Sequence, residues 1–223
     1  MLDESKNIPE HWRSADETEE PLFGGTASDS RLKRVRLPAG FRYQPELIGS
    51  ADECALLTQV RALPFREFEF HGFLGKRKVV SFGWQYDYSG RELRKAAHIP
   101  DFLLALRKDA ALFANLAPEE LQHVLVTEYG PGAGIGWHRD KPVFGEVIGI
   151  SLLTPCLLRF RHQLGEKLKP SGQRSRRWER VNVTVERRSA YLLTGPARMV
   201  WQHSIPPVDA LRYSITFRNV RTL

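Results

Sequence analysis

From Pro118 onward the sequence breaks into seven short apolar or alternating runs, and that texture constrains the fold more than any other feature. The runs are "HVLVTEY", "EVIGISLL", "CLLRFRH", "ERVNVTVE", "SAYLLTG", "RMVWQHS" and "LRYSITFRNV", most of them separated by Gly, Pro or charged turns. Alternate side chains of a strand point to opposite faces, so each run reads as a strand with one buried side. Seven such runs argue for a sandwich or closed barrel and against alternating βα units. Upstream, "SADECALLTQVRAL" predicts a helix with Ser50 as N-cap and Glu53 closing a capping box. "PDFLLALRKDAALFANL" predicts a second, with Pro100 near its start and Phe102, Leu103, Leu106, Ala110 and Phe113 on one face. "LKRVRLPAGFRYQPELI" reads as an entry strand and loop, and "GKRKVVSFGWQYDYSG" as a hairpin ahead of the second helix. The expectation is a mainly β chain with flanking helices (α+β), the two helices lying on one sheet of a jelly roll.

At 223 residues there is enough chain for one domain with a sizeable core, expected over 31–223. Residues 1–20 carry seven acids against Lys6 and Arg13, and 1–30 are rich in Ser, Thr, Gly and Pro without periodicity, so 1–30 are expected to be a disordered acidic leader. The net charge is +7, and residues 159–188 alone hold ten Lys or Arg against three Glu. Such a block attracts polyanions, nucleic acid first, although a solvated loop carries the same pattern; its centre, 163–178, is expected to be a basic loop. No apolar run reaches the ~18 residues of a membrane span, and the start of the chain lacks the basic and apolar regions of a signal peptide. Cys54 and Cys156 lie far apart and match no metal or disulfide framework. A monomer in a reducing, cytoplasmic setting, with no membrane partner, is expected.

The stretch "EYGPGAGIGWHRDKP", residues 128–142, sets Gly130, Gly132, Gly134 and Gly136 ahead of His138 and Asp140. A phosphate loop requires Gly-Lys-Ser/Thr next, and a dinucleotide fingerprint requires Gly-x-Gly-x-x-Gly; neither fits. What remains is a plain flexible loop, or one that lets backbone pass close to a small ligand before delivering two metal ligands. On a strand or strand end His138 and Asp140 would project to the same side, about 6.6 Å apart along the chain, so imidazole and carboxylate can converge on one ion. Alone, His-x-Asp is equally a surface salt bridge. A second histidine on a neighbouring strand completes two histidines and one carboxylate with open coordination positions, the set of non-haem Fe(II) oxygenases. His203, at the end of the apolar run in "RMVWQHSIPPV", is the candidate. His11, His71, His98 and His162 read as solvated, and His123 as a buried, hydrogen-bonded strand residue.

Arg212 and Arg218 share parity in "LRYSITFR" and face away from Tyr213, Ile215 and Phe217. An inward guanidinium is costly unless a carboxylate meets it. That carboxylate belongs either to a structural Asp or Glu or to a small dianion.

Taken in order, His138-Arg139-Asp140, His203 and Arg212-x5-Arg218 resemble the motif of the AlkB-type Fe(II)/2-oxoglutarate dioxygenases. Further matches are Tyr129 in "TEYGPGAGIGWHRD", "ISLLTPCLLRFRH", "RRSAYLLTGPARMVWQHSIPP" and "RYSITFR", so the resemblance covers roughly residues 60–220. It implies a double-stranded β-helix (jelly roll, cupin-like) with Fe(II) on the catalytic ligands His138, Asp140 and His203. It also implies 2-oxoglutarate, its far carboxylate on Arg212 with help from the Tyr129 hydroxyl, and Arg218 near its chelating end. Thr127 and Ser214 stand where the family often has Asn; both keep a hydroxyl toward the cosubstrate at shorter reach. "FGWQYDYSG", within 76–90, resembles the family's nucleotide-recognition lid. There Phe82, Trp84, Tyr86 and Tyr88 would share one face and stack a flipped base, with Arg77, Lys78 and the basic block on phosphates. A purely structural role for that aromatic face is the alternative. Some DNA-repair members carry Asp-Lys-Asp at the carboxylate ligand; Asp140-Lys141-Pro142 lacks the second acid that touches the base.

The function so implied is oxidative dealkylation of N-alkylated bases in DNA or RNA, tRNA included. It consumes 2-oxoglutarate and dioxygen and releases succinate, CO2 and formaldehyde. A second reading keeps the oxygenase but gives it a protein or small-molecule substrate. A third is a non-enzymatic basic β-barrel that binds RNA.

Overall fold

The computed structural model describes residues 36–70, 73–87, 90, 92–168 and 174–221. The expected leader over 1–30, with His11, and also His71 and Tyr88, lie outside the described residues. In chain order the elements are β1 (Phe41–Gln44), α1 (Ser50–Arg61), β2 (Arg66–Phe70), β3 (Phe73–Phe82), β4 (Trp84–Asp87), β5 (Glu92–Lys95) and α2 (Leu104–Ala114). After these come β6 (His123–Tyr129), β7 (Ile135–His138), β8 (Phe144–Leu152), β9 (Cys156–Leu168) and β10 (Arg174–Val185). β11 (Ala190–Leu193), α3 (Gly195–Met199), β12 (Gln202–Ile205) and β13 (Arg212–Val220) complete the chain.

Two antiparallel sheets make the jelly roll. The major sheet runs β1-β11-β8-β13-β6-β3-β2 and the minor sheet β10-β9-β12-β7, with β4-β5 a separate two-stranded ribbon. Alternation gives the major sheet two buried faces. One buries Val124, Val126, Ile148, Ile150, Ile215 and Phe217 under α1 and α2, which contribute Leu56, Val60, Leu106, Ala110 and Phe113. The other turns Tyr129 and Val147 toward Leu158, Phe160 and Ile205 of the minor sheet. Fully burying one such aliphatic or aromatic side chain contributes about 1.5–3 kcal/mol, so each face is a core in its own right. β13 separates them: Tyr213, Ile215 and Phe217 belong to the helical side, and Arg212, Ser214, Thr216 and Arg218 are buried on the other.

Several expectations are corrected. α1 is capped one residue earlier than the sequence suggests. Gly49 is the N-cap and its N–H donates to Asp52 Oδ2 at 3.3 Å. Glu53 instead turns inward and is fully buried, accepting from the Leu153 N–H at 2.9 Å and from Arg187 Nε at 3.1 Å. Residues 76–90 are not one hairpin. β3 pairs with β2 and β6 in the major sheet, and β4 pairs with β5. The break falls at Gly83, whose φ of +76° and whose missing Cβ, 2.0 Å from the Gln122 carbonyl oxygen if present, admit only glycine. Phe82, before the break, is buried in the helix-side core and so leaves the aromatic stripe.

The basic loop expected over 163–178 is instead largely strand. β9 and β10 stay paired from Cys156↔Val185 out to Leu168↔Arg174, with a bulge between Arg177 and Trp178. The outer part of this arm lacks a buried apolar face, so its alternation was invisible in the sequence. "RMVWQHS" is likewise divided: α3 takes its first residues, and β12 begins only at Gln202. β7 was missed because "IGWH" is short and glycine-interrupted.

Candidate active site

β12 lies between β9 and β7, and β7 forms the edge of the minor sheet. His203 sits directly opposite His138, the two rings 4.3 Å apart between centroids. The next recorded pair is Ile205 with Ile135, so two steps on β12 match three on β7. That is a β-bulge, and it re-aims the strand so that His138 faces the interior despite its parity with respect to Ile135. The Gly136 carbonyl, inside the bulge, lies 2.9 Å from His138 Nδ1. A carbonyl only accepts, so Nδ1 carries the hydrogen and Nε2 keeps its lone pair for a metal.

Glycine is required two residues earlier. A Cβ on Gly134 would stand 2.7 Å from the Ile205 carbonyl oxygen and 2.9 Å from the Pro206 carbonyl carbon. The glycine run therefore serves close backbone approach: it lets the entry to β7 lie against the exit of β12, the strand that bears His203.

Asp140 completes the cluster. Its Oδ2 lies 3.5 Å from His203 Nε2, and ligand atoms of His138, Asp140 and His203 all fall within 4.8 Å of one another. Its Oδ1 accepts from Arg218 Nε at 3.0 Å and lies 2.8 Å from Arg218 Nη2. Its Oδ2 is buried without a hydrogen-bond partner. Burial pushes the Asp140 carboxyl up, but Arg218, with the two histidines, outweighs it and holds the group well below the usual carboxylate range. Burial, aided by His138, pushes His203 down to about 3, and burial also lowers His138. At neutral pH the set is two neutral imidazoles and one carboxylate with an unsatisfied oxygen. That donor set fits a divalent metal such as Fe(II), which would occupy the position Oδ2 faces.

Arg212 is 1% exposed, and its Nη2 donates to Ser151 Oγ at 3.1 Å. Its Nε and Nη1 are buried without partners, and its Cζ lies 4.8 Å from the centre of the Tyr129 ring. A structural ion pair would have satisfied those nitrogens, so the interior here holds a cation arranged for an anion that arrives from outside. Burial raises the Tyr129 hydroxyl, which stays protonated and able to donate, and Ser214 hydrogen-bonds to it. Thr127 and Ser214 are cross-strand partners in β6 and β13, and Ser214 also pairs with Ser151 of β8. All three hydroxyl residues are buried. A dicarboxylate such as 2-oxoglutarate fits this lining. Ser151 escaped sequence reasoning, although its hydroxyl at the inward position of the apolar run "EVIGISLL" was the available signal.

Arg218 joins the Asp140 side of the site and not the Arg212 side. Its Nη1 lies 3.3 Å from His123 Nδ1, and His123 stacks on Phe144 at 4.6 Å. Burial and Arg218 together hold His123 well below its ordinary value, so it stays neutral and accepts from the guanidinium. Arg198, also buried, donates from Nε to the Gly145 carbonyl at 3.0 Å and from Nη2 to the Lys141 and Phe144 carbonyls at 2.6 and 2.8 Å. It thereby secures the loop that follows Asp140. His98 is exposed, and His162 stacks on Trp201 at 5.4 Å beside Glu179, so neither reaches the cluster.

Of the expected substrate residues, Arg77 lies on β3 and Trp84 and Tyr86 on β4. The Arg77 guanidinium covers the Phe68 ring at 3.7 Å, and its charge adds to the burial that lowers His138. Trp84 and Tyr86 are half-buried on β4, and Lys141 Nζ stands 4.9 Å over the Tyr86 ring. A pocket of about 430 Å³ opens between Tyr86, Leu93, Lys141, Val143 and Arg221.

Residues 50–218 match the 2OG-Fe(II) oxygenase superfamily. The chain is similar to the "Alkylated DNA repair protein ALKBH8 homolog" of Arabidopsis thaliana, 26% identical over 193 residues, which cover 79% of this chain and 54% of that protein. It is similar also to the "Probable RNA/DNA demethylase ALKBH6" of Danio rerio, 27% identical over 169 residues, covering 75% of this chain and 70% of the relative. The chain thus spans about half the length of the Arabidopsis protein. Among solved structures, that of OsALKBH1 superimposes with a TM-score of 0.59 at 17% identity, covering 82% of this chain and 98% of the other, and shares the jelly-roll fold.

Proposed function

The chain belongs to the 2OG-Fe(II) oxygenase superfamily, and from that footing we propose that it oxidatively removes alkyl groups from N-alkylated bases in DNA or RNA. It is a dioxygenase that uses Fe(II) and 2-oxoglutarate. When bound, these supply oxidation of a substrate C–H bond by dioxygen with release of succinate and CO2, and an N-hydroxymethyl product then breaks down to formaldehyde. The residues of the chain prepare that chemistry. His138, Asp140 and His203 would hold the metal through two neutral nitrogens and one anionic oxygen. Arg218 keeps Asp140 ionised and fixes which oxygen faces the ion. Arg212 would receive the far carboxylate of the cosubstrate while Tyr129 would donate its hydroxyl. Leu158, Phe160 and Ile205, buried between the sheets, exclude water from the same space.

The observation that carries the oxygenase chemistry is the buried, unpartnered guanidinium edge of Arg212. For the substrate, support comes from the cationic and aromatic rim, where Tyr86 and Lys141 border a pocket large enough for a base turned out of its stack. The relatives named for DNA repair and for RNA/DNA demethylation favour the same class. A cytoplasmic setting belongs to this proposal, supported by two free thiols, Cys54 and Cys156. The test offers Fe(II), 2-oxoglutarate and methylated single-stranded DNA, RNA, tRNA or peptides to the purified protein, with formaldehyde and methyl loss read by mass spectrometry. Methyl loss from a nucleic acid is expected. Succinate release stimulated by peptides, with every methylated base intact, would replace the proposal by the protein-substrate reading.

A further inference from the structure

The outer face of the minor sheet gathers four of the ten basic residues that the sequence places at 159–188. On β9, Leu158 and Phe160 point into the core, so Arg159 and Arg161 point out. On β10, Val181 points in, and Arg176, Trp178 and Arg180 share the outward side. Trp137 of β7 reaches the same surface. The Arg161 guanidinium lies 4.5 Å from the Trp137 ring centre and 4.5 Å from that of Trp178, and Arg159 lies 5.1 Å from Trp137. The result is a ladder of guanidinium and indole planes crossing the sheet from β10 to β7.

The ladder holds more positive charge than its surroundings balance. Among the described residues no carboxylate comes within ion-pair distance of Arg159, Arg161, Arg176 or Arg180. Neutral groups hold the inner two in place: Arg161 Nε donates to Gln202 Oε1 at 2.7 Å and Arg159 Nε to Ser204 Oγ at 3.1 Å. Burial, then Arg180 and Arg176, lower the Arg161 guanidinium, which records like charges kept together without a counter-anion. Glu179, the acid nearest in sequence, faces the other way, toward His162, and Glu166, opposite Arg176 in the β9-β10 register, is engaged by Arg174 at 3.2 Å.

Position links the ladder to the reaction. Trp137 adjoins His138 in β7, and β7 is the edge of the minor sheet. A strand lying on the outer face therefore turns over a single edge strand to present a base to the metal site. We propose that this outer face is a docking platform for single-stranded nucleic acid flanking the target base, with phosphates on Arg159, Arg161, Arg176 and Arg180 and bases against the Trp137 and Trp178 planes. Planar cations and indoles alternating on one sheet suit a polymer whose charge and π-faces also alternate; an acidic peptide supplies the charge without the faces.

This rests on the nucleic-acid reading above, and its test separates the two. Fluorescence anisotropy measures binding of an unmethylated, labelled 12-mer single strand to the full chain across a salt series, with no chemistry required. Replacing Arg176 and Arg180 together by Glu is expected to weaken binding at least about tenfold and to reduce the log–log salt slope by about 1.4, two phosphate contacts at ~0.7 each. Trp178→Ala is expected to weaken binding with the salt slope unchanged. Uncoupled 2-oxoglutarate turnover should match the wild type in both variants, and the milder Arg176→Gln, Arg180→Gln pair keeps the test open if charge reversal impairs folding. Equal affinity and slope in wild type and all variants would overturn the platform, as would displacement of the oligonucleotide by polyglutamate at equal charge concentration. A protein that binds through the ladder but dealkylates no nucleic acid sinks only the proposed function. One that demethylates a methylated trinucleotide while its ladder variants bind the 12-mer normally sinks only the platform.

Discussion

Replacing Arg212 by Met should separate two quantities that change together at most buried residues. In the protein without cosubstrate, Arg212 makes one hydrogen bond, to Ser151, and leaves Nε and Nη1 buried without partners. Each unsatisfied buried donor costs about 1–3 kcal/mol, so removing both relieves roughly 2–6 kcal/mol. Against that stand the Ser151 bond, about 1 kcal/mol, and the stacking on Tyr129, about 1–2 kcal/mol. Urea unfolding of the ligand-free variant should therefore match the wild type or exceed it. Affinity for 2-oxoglutarate should move the other way. Two charge-assisted hydrogen bonds to a carboxylate, at about 1.5–3 kcal/mol each, correspond to at least ~100-fold in dissociation constant. An anaerobic titration of the Fe(II)-loaded protein with 2-oxoglutarate, followed by the charge-transfer absorption, reads this directly. Loss of more than about 3 kcal/mol of ligand-free stability, with cosubstrate affinity unchanged, would show that Arg212 is a structural residue and that the anion belongs elsewhere.

His138→Ala and Asp140→Ala should each abolish Fe(II)-dependent succinate formation, and turnover in either variant would refute the ligand set. Folded-state values of His203, His138 and His123 lie below their unfolded value of about 6.5, and Asp140 and Glu53 are also lowered, so the unfolded chain takes up protons first as pH falls. Metal-free stability is accordingly expected to be full above about pH 6.5 and to decline from there toward about pH 3, where His203 itself protonates. A midpoint temperature flat between pH 7.5 and 5 would contradict that burial pattern. Glu53→Gln weakens the attachment of α1 to Arg187 and should cost about 2 kcal/mol in urea unfolding, discounted because Arg187 is 47% exposed. Gly134→Ala should lower both thermal stability and Fe(II) affinity, because the added methyl meets backbone at 2.7 Å beside His203.

Legibility followed burial. Strands with one apolar face, such as β6, β8 and β13, could be read from alternation, and so could the opposition of Arg212 and Arg218 to Ile215 and Phe217. The ligand set was readable because each member has its own local setting and the order along the chain is distinctive. The outer β9-β10 arm, where residues 163–166, 174, 176 and 177 are all exposed, offered no such contrast, and β7 was hidden because it depends on a bulge, a feature of pairing and not of one segment. The cap of α1 was misplaced because Asp52 and Glu53 adjoin, and only tertiary contact with Arg187 decides which of them turns inward. Ser151 and His123 became meaningful only once register brought them beside Arg212 and Arg218.

β13 divides residues 212–218 between two compartments, a greasy one beneath the helices and a charged one around Asp140. A single-residue insertion or deletion between 212 and 218 would therefore exchange the compartments, thrusting Ile215 or Phe217 at the His138–Asp140–His203 cluster and a guanidinium under α2. Conservative swaps within either set leave the partition intact. This segment should accordingly tolerate drift in residue type far better than drift in length.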